Sequence, residues 1–258
     1  MKVGALLTPP RGYRRGYAVA ILVGLKEDQA ALWKVYSHIV KPEKTLPLNG
    51  YRNDPKAVYN FHESIINALR PAMKEGVKSI ILASPPRTNF ATDFLRHTKE
   101  HHSWLTQESS KATFAEMTGY ATTIHEVTVL TRTPEFKRII GETTVEETEN
   151  LLELLEKRLN ASSQEPLVLY SPEEIENKVF GQWMPSKPKP EYLLLTDTYL
   201  SGSRQKNRLQ KLMQTAINRG VKTRVVNAKT AAGKRLLQLG GIVCILKLDR
   251  TDSQQSVY

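Results

Sequence analysis

The sequence predicts a two-domain α/β protein, and three observations support that fold class. Apolar strands alternate with amphipathic helices along most of the chain, an order typical of a mixed or parallel sheet covered by helices. The polar stretch 160–166 contains two serines and a proline, the composition of a linker between domains. A chain of 258 residues accommodates two domains of ordinary size. We therefore expect a basic arm over 1–15, a first domain over 16–160, a second domain over 166–250 and a polar tail over 251–258.

The elements of the first domain follow from the spacing of apolar residues and from the turn residues between them. Asp54-Pro55 is expected to begin the first helix, since proline suits a first helical turn. Thr144-Val145-Glu146-Glu147 has the form of a capping box at the start of a later helix. In chain order the predicted elements are a hairpin of strands over 16–25 and 31–40, a proline-rich loop over 41–55, a helix over 55–76, a strand over 77–83, a helix over 89–101, a strand over 122–129, and helices over 135–140 and 145–159.

The second domain is expected to end in the most regular segment of the chain. A short basic helix over 230–239 leads into Gly240-Gly241, where positive φ allows a tight turn. Residues 242–246 are apolar without alternation, the pattern of a strand buried on both faces. The elements predicted before it are a helix over 171–179, a strand over 192–195, a helix over 205–219 ended by Gly220, and a strand over 221–226.

Composition and charge narrow the class of protein. The longest apolar runs, 18–25 and 242–246, are too short to span a bilayer, and we expect no membrane segment and no secretory signal. The single cysteine, Cys244, lies in an apolar strand, so we expect a cytoplasmic protein with no disulfide within the chain. The net charge is +11, with 185–250 strongly basic and 141–180 acidic. This distribution predicts a polyanionic partner, and surface lysines that only aid solubility are the alternative.

Basic residues in several segments are candidates for contact with RNA. The arm interleaves arginines with Tyr13 and Tyr17, a composition suited to RNA, with a flexible tail as the alternative. Ser201-Gly202-Ser203-Arg204 is similar to a turn that cradles phosphate at a helix start. It lacks the spacing of a nucleotide P-loop, and an ordinary capped loop is the alternative. The candidate RNA-binding residues are Arg11, Arg14, Arg15, Arg52, Arg204, Lys206, Arg208, Lys234 and Arg235.

No strong catalytic or metal-binding constellation is visible in the sequence. Asp93, His97 and His101 fall at i, i+4 and i+8 on one helix face, where two histidines one turn apart could bind zinc. They lack a glutamate beside the first histidine and a cysteine partner, so we interpret them as a solvated face. His125 and Glu126 lie on a predicted strand and would point to opposite faces. We therefore expect no catalytic residue, no metal and no cofactor.

Three segments together match the pattern of a known family. They are the helix over 61–69 with the strand and turn over 77–85 and the helix over 90–95; the segment Thr118-Gly119-Tyr120 to His125-Glu126-Val127; and the pair 191–197 and 220–248. In this order and at roughly this spacing they resemble the central and C-terminal domains of class I peptide chain release factors and Pelota, over about residues 15–250. The resemblance implies a mixed-sheet central domain followed by a small α/β sandwich like that of kink-turn-binding ribosomal proteins.

The resemblance also implies a role in translation. It implies binding to the ribosome or tRNA in ribosome rescue or quality control, with a translational GTPase and an ABC-type recycling ATPase as partners. Only about fifteen residues precede the first strand, so we expect the family's N-terminal decoding domain to be absent.

The hydrolytic loop of release factors is the second expected departure. Release factors carry a Gly-Gly-Gln loop, whereas the corresponding stretch 46–56 reads Leu-Pro-Leu-Asn-Gly-Tyr-Arg-Asn-Asp-Pro-Lys. We therefore expect no peptidyl-tRNA hydrolysis, as in Pelota. Two alternatives stay open: an RNA-processing or tRNA-cleaving enzyme that uses the histidine stripe or 46–56, and a ribosomal-type RNA-binding module acting alone. A metal requirement would favour the enzyme, and tight kink-turn binding would favour the module.

Overall fold

The computed structural model describes residues 16–106, 111–163, 165–184 and 187–247, which contain two β-sheets. The predicted arm over 1–15 and tail over 251–258 lie outside these residues. In chain order the elements are β1 (Ala18–Leu25), β2 (Gln29–Tyr36), β3 (Val40–Pro47), α1 (Pro55–Lys74), β4 (Ser79–Ser84), α2 (Phe90–His101), α3 (Ser103–Thr106), β5 (Thr113–Thr118), α4 (Ile124–Leu130), α5 (Pro134–Leu159), β6 (Val168–Leu169), α6 (Pro172–Phe180), β7 (Lys189–Thr196), α7 (Asp197–Gly202), α8 (Lys206–Asn218), β8 (Lys222–Val226), α9 (Ala231–Gln238) and β9 (Ile242–Lys247).

The first sheet has the strand order β3-β2-β1-β4-β5. Strands β1, β2 and β3 are antiparallel neighbours, whereas β4 is parallel to both β1 and β5. One face of the sheet is covered by α1 and α2, through buried side chains such as Ile65 and Phe94. The other face is covered by α4 and the first half of α5, through Val127 and Phe136. All of β4 is buried, as expected for an unbroken apolar strand between two helical layers.

The predicted β1–β2 hairpin is confirmed, but the loop predicted over 41–55 is wrong in its first part. Residues Val40–Pro47 form β3, which pairs with β2 at the edge of the sheet. Pro42 and Pro47 are compatible with this strand because an edge strand has one side that donates no ladder hydrogen bonds. Lys41 and Lys44 are exposed on β3, a composition that discourages pairing with another chain.

The strand predicted over 122–129 is also wrong, since this segment contains the helix α4. A capping box starts α4: the Glu126 backbone N–H donates to the Thr123 hydroxyl at 3.3 Å, and the Thr123 N–H donates to the Glu126 carboxylate at 3.0 Å. The β-branched residues of this segment favoured a strand, but the cap satisfies the first backbone donors and outweighs that preference. His125 and Glu126 therefore share a helix instead of opposite faces of a strand. The fifth strand is β5, beside β4.

The two helices predicted over 135–140 and 145–159 are one continuous helix, α5. Thr144 does not cap a new helix, because its hydroxyl donates to the Ile140 carbonyl at 2.7 Å within α5. The cap is Thr133, whose side chain accepts from the Phe136 N–H at 3.1 Å. Although α5 is long, no helix in the described ranges of the chain is both long enough and apolar enough to cross a membrane.

The second sheet has the strand order β6-β9-β7-β8, with β7 parallel to β8 and β9 antiparallel to its neighbours. The buried central strand β9 confirms the prediction for 242–246. Gly240 and Gly241 have φ of 99° and 84°, as the tight turn before β9 requires. Cys244 is buried in β9, and burial raises the pKa of its thiol to about 12. Helices α6 and α8 cover one face of this sheet, and α9 covers the other.

Helix α5 packs against both sheets. Phe136 and Ile139, near its start, belong to the core of the first sheet, whereas Leu151 and Leu155 belong to the core of the second. The domain boundary at 160 stays a prediction, and α5 is a continuous helix that contributes to the cores of both sheets.

A buried ion pair lies where the two sheets meet. Arg224 of β8 donates to the Glu147 carboxylate of α5 at 2.7 Å, and each side chain is only 2% exposed. The same guanidinium donates to the carbonyls of Ala18 at 2.9 Å and Val19 at 3.1 Å, the first two residues of β1. The Ser79 hydroxyl of β4 also hydrogen-bonds to Glu147. One arginine therefore links β8 to α5 and to the first sheet.

Lys78 and Tyr192 make a second polar contact between the sheets. The Lys78 ammonium donates to the Tyr192 hydroxyl at 2.9 Å, beside Lys222. Burial, together with the positive charge of Lys222, lowers the pKa of Lys78 to about 7. Burial also raises the pKa of Tyr192, with Glu191 adding to the effect. Both pKa shifts depend on the packing of the two sheets, because burial is the largest cause of each.

Candidate functional site

The start of α8 carries the segment predicted to cradle phosphate. Ser201 and Gly202 end α7 instead of starting a helix, and the Ser203 hydroxyl accepts from the Gln205 N–H at 3.1 Å. Gln205 makes no side-chain hydrogen bond that caps α8. The first N–H groups of α8 and the positive end of its dipole therefore lie next to the exposed cations at 204 and 206.

A groove beside α8 brings charges of both signs together. Ser203, Arg204 and Arg208 line it, but so do Glu173 and Glu176. Arg208 is paired with Glu176 at 2.5 Å, and this hydrogen bond raises the pKa of the Arg208 guanidinium. A phosphate inside the groove would meet these carboxylates. The rim offers the better phosphate contact, because within the described ranges neither Arg204 nor its neighbour at 206 forms an ion pair.

Arg52 has an internal role that the sequence did not reveal. Its guanidinium donates to the carbonyls of Lys26 at 2.6 Å and Glu27 at 3.0 Å, in the β1–β2 turn. It also stacks over Phe90 and Phe61, at 4.3 and 4.9 Å from the ring centroids. Burial lowers the pKa of Arg52. Arg52 therefore anchors the loop before α1 to the neighbouring turn.

The remaining predicted cations are placed in different ways. Lys234 is exposed on α9. Arg235, in the same helix, pairs with Glu156 of α5 at 2.7 Å, with both side chains a little over one third exposed. Arg235 therefore ties α9 to α5. The predicted residues Arg11, Arg14 and Arg15 lie outside the described residues.

The loop between β3 and α1 includes most of the stretch 46–56 and presents an exposed aromatic residue. Tyr51 is 79% exposed, and the preceding Gly50 has a φ of 124° that favours glycine. The loop ends at Asp54, whose carboxylate accepts from the Lys56 N–H at 2.9 Å and caps α1. Sequence reasoning missed Tyr51 as a candidate, although an aromatic residue after Asn-Gly turn chemistry is a recognisable signal.

The histidine stripe predicted on α2 is only partly a solvated face. Asp93 pairs with Arg96 at 2.8 Å, and the His101 side chain is 44% exposed. His97, however, is buried, so the interpretation is wrong for that residue. Its partner is Glu63 of α1, with 3.0 Å between His97 Nε2 and Glu63 Oε1.

His102, the residue that ends α2, contacts the same glutamate. Its Nε2 lies 2.6 Å from Glu63 Oε1. One potential ligand atom from each of Glu63, His97 and His102 lies within 4.8 Å of the other two, so the three side chains could hold a metal ion. Sequence reasoning missed this cluster because Glu63 lies more than thirty residues before the two histidines and meets them only through the packing of α1 on α2.

The protonation states in this cluster follow from its surroundings. Burial lowers the pKa of His97, although Glu63 partly opposes the shift. Burial alone would raise the pKa of the Glu63 carboxyl, but hydrogen bonds from His102 and His97 lower it overall. Beside them, burial and the positive charges of neighbouring groups lower the pKa of His62 to about 4. Near neutral pH the carboxylate is therefore ionised, and His62 and His97 are neutral.

Solved structures with a similar fold exist, whereas no family model and no curated protein matches the sequence. A chain in a model of ribosome-bound archaeal Pelota and ABCE1 is 18% identical with a TM-score of 0.50, covering 89% of this chain and 61% of that one. S. cerevisiae Dom34, described as a translation termination-like factor in RNA quality control pathways that interacts with Hbs1, is 21% identical with a TM-score of 0.47, covering 90% and 64%. The archaeal translation termination factor aRF1 is 16% identical with a TM-score of 0.31, covering 89% and 62%.

The likeness to the ribosome-bound archaeal structure confirms the α/β fold that the family resemblance implied. The chain is therefore similar in fold to this archaeal Pelota chain. It spans less than two thirds of the length of the structures described above.

Proposed function

We propose that this chain acts in translation, binding the ribosome or tRNA during ribosome rescue or quality control. The observation that carries the proposal is the fold shared with a ribosome-bound Pelota structure over 89% of the chain. The net charge of +11 supports it, since ribosomes and tRNA are polyanions. Peptidyl-tRNA hydrolysis is not part of the proposed role, because the stretch 46–56 contains no Gly-Gly-Gln sequence.

The structural similarity to Pelota and Dom34 also suggests the kind of partner that we propose. Dom34 is described as interacting with Hbs1, and the archaeal Pelota model contains ABCE1. By analogy, we propose a translational GTPase and an ABC-type ATPase as partners of this chain. A cytoplasmic location follows from this role and belongs to the same proposal.

The proposed phosphate contact is the start of α8. Arg204 and Lys206 are exposed and, in the part of the chain that the structure describes, form no ion pair, so binding phosphate breaks no internal contact. The uncapped end of α8 adds backbone N–H groups and the positive end of a helix dipole. Contacts of this kind position a protein on RNA without reading its sequence.

Tyr51 is the proposed contact to an unpaired base. Its ring is 79% exposed, on a loop whose base Arg52 holds to the β1–β2 turn. An exposed aromatic ring on an anchored loop is suited to stacking on a base, which contributes about 1–3 kcal/mol per base. This contact is separate from the phosphate contact at α8 and can be removed without changing the net charge.

The test is co-sedimentation with purified ribosomes over a series of salt concentrations. Arg204→Ala combined with Lys206→Ala should weaken binding and flatten the dependence of log K on log[salt] by roughly 1.4–1.8, since each phosphate contact contributes roughly 0.7–0.9. The matched control is Lys41→Ala combined with Lys44→Ala, which removes the same charge from the exposed edge strand β3. The control should leave the slope near that of the wild type.

Two results would count against the α8 contact. An unchanged salt slope in the Arg204/Lys206 variant would show that this end of α8 does not meet phosphate. An equal loss of slope in both double variants would assign binding to overall charge instead of to a surface.

A further inference from the structure

We propose that Glu63, His97 and His102 form a binding site for a divalent transition-metal ion such as Zn²⁺. The site lies between α1 and the end of α2, on the outer side of the first sheet. It is independent of the proposed role in translation, because none of its residues belongs to the proposed RNA contacts.

The geometry already brings the donor atoms together. His97 Nε2 and His102 Nε2 lie 3.0 and 2.6 Å from the same Glu63 oxygen, and the three potential ligand atoms lie within 4.8 Å of one another. Zinc ligands sit about 2.0–2.2 Å from the ion, so neighbouring ligand atoms of a tetrahedral site are about 3.3 Å apart. The two distances to Glu63 would need to lengthen by about 0.3 and 0.7 Å to reach that spacing.

The donor set selects the class of ion. Two imidazole nitrogens and one carboxylate oxygen form a set found in zinc sites and in the three-residue sites of non-haem iron. Mg²⁺ and Ca²⁺ prefer oxygen ligands alone, so the two imidazoles disfavour them.

The proposed site is open to solvent on one side, and it lies at the C-terminal end of α2, where a cation is favoured. The side chains of His97 and His102 are 7% and 10% exposed, whereas that of Glu63 is 29% exposed. An ion can therefore enter from the Glu63 side, where a water molecule can complete the coordination. His102 ends α2, and the negative end of that helix dipole stabilises positive charge.

A buried neighbour supplies an independent observation. The His62 ring packs 5.0 Å from the His97 ring, measured between centroids, and His62 itself is only 3% exposed. Its Nε2 has no hydrogen-bond partner among the residues that the structure describes. A buried, unpartnered imidazole nitrogen is unusual in a folded protein. It is a further imidazole packed against one proposed ligand, outside the three side chains whose donor atoms lie together.

The experiment is a titration of the full chain, stripped of metal with a chelator and dialysed, with ZnCl2 or MgCl2 in a calorimeter. We expect one Zn²⁺ per chain and no comparable Mg²⁺ binding. Glu63→Gln and His102→Gln should each weaken Zn²⁺ binding by at least about 100-fold, more than the loss of an outer-shell group. His125→Gln is the matched control on an exposed histidine, and it should bind as the wild type does.

A second readout needs no ligand variant, in case one fails to fold. In the wild-type chain, Zn²⁺ should shift the imidazole NMR signals of His97 and His102 and leave those of His125 unchanged. Zn²⁺ should also raise the melting temperature of the wild type in proportion to ln(1 + [Zn²⁺]/Kd). Absence of Zn²⁺ binding by the wild type, binding unchanged in both ligand variants, or imidazole shifts confined to other histidines would each overturn the proposal.

Discussion

Replacing Arg224 by Met should destabilise the chain more than any surface substitution. The change removes the positive charge from a fully desolvated pair and leaves the Glu147 carboxylate buried beside Ser79 without its cation. It also removes a donor from each of two carbonyls, those of Ala18 and Val19. Methionine fills much of the same volume, so the loss is mainly electrostatic and not a cavity effect.

The expected cost is about 3–5 kcal/mol, the range for breaking a buried ion pair by removing one partner. At roughly 2–4 °C per kcal/mol for a chain of this size, the melting temperature should fall by roughly 6–20 °C. Combining Arg224→Met with Glu147→Leu removes the uncompensated charge as well. The double variant should therefore lose much less free energy of unfolding than the sum of the losses in the two single variants.

The assay is urea unfolding followed by circular dichroism, with the free energy of unfolding extrapolated to water. The matched control is Arg138→Ala, which breaks the exposed ion pair between Arg138 and Glu142 of α5. An exposed pair one turn apart contributes about 0.3–0.5 kcal/mol, so this control should be nearly neutral. A loss below about 1 kcal/mol in Arg224→Met, or additive losses in the double variant, would refute the idea that this pair stabilises the contact between sheets.

Two further predictions concern pH and catalysis. The pKa of Lys78 is lowered to about 7 in the folded chain, so above that pH the unfolded chain binds more protons than the folded chain. The free energy of unfolding should therefore rise between about pH 7 and pH 10. Above about pH 10, ionisation of Tyr192 in the unfolded chain begins to reverse this rise. Lys78→Met should flatten that rise in urea unfolding, and an identical rise in wild type and variant would contradict the assignment. The chain alone should release peptide from purified ribosomal peptidyl-tRNA complexes at the background rate. Multiple-turnover release that disappears when residues 46–56 are mutated would contradict this expectation.

Where local pattern decides the structure, the sequence was a sufficient guide. The unbroken apolar runs of β4 and β9 exclude a solvent-facing side, so their burial could be predicted from the residues alone. The turn at Gly240-Gly241 followed from the need for positive φ. The edge strand β3 was missed because prolines indicate loops unless the strand lies at an edge, and edge position is a property of the whole sheet.

Two local errors came from reading single signals in isolation. Threonine and valine in α4 favour strands, but the cap formed by Thr123 and Glu126 starts a helix there. Thr144 looked like a helix cap, yet its hydroxyl bonds to a carbonyl one turn earlier and lets α5 continue. In both segments the hydrogen-bond partner of one side chain decided the structure, and that partner is not visible in a composition.

The candidate sites were the least predictable part, because they depend on contacts between distant residues. Arg224 belongs to the strongly basic segment 185–250, but Glu147 removes it from the surface charge. Glu63 meets His97 and His102 only after α1 packs on α2. A count of charges or histidines along the chain cannot distinguish paired groups from free ones.

The most direct test of a role in translation is affinity purification of the full chain from cell extract at low salt, with and without ribonuclease. We expect ribosomal RNA and ribosomal proteins to be recovered together with the chain. Both should be lost when salt is raised or ribonuclease is added, because the proposed contacts are to phosphate and bases. Recovery of the chain without ribosomal components at low salt would contradict the proposed function, whatever fold it shares with Pelota.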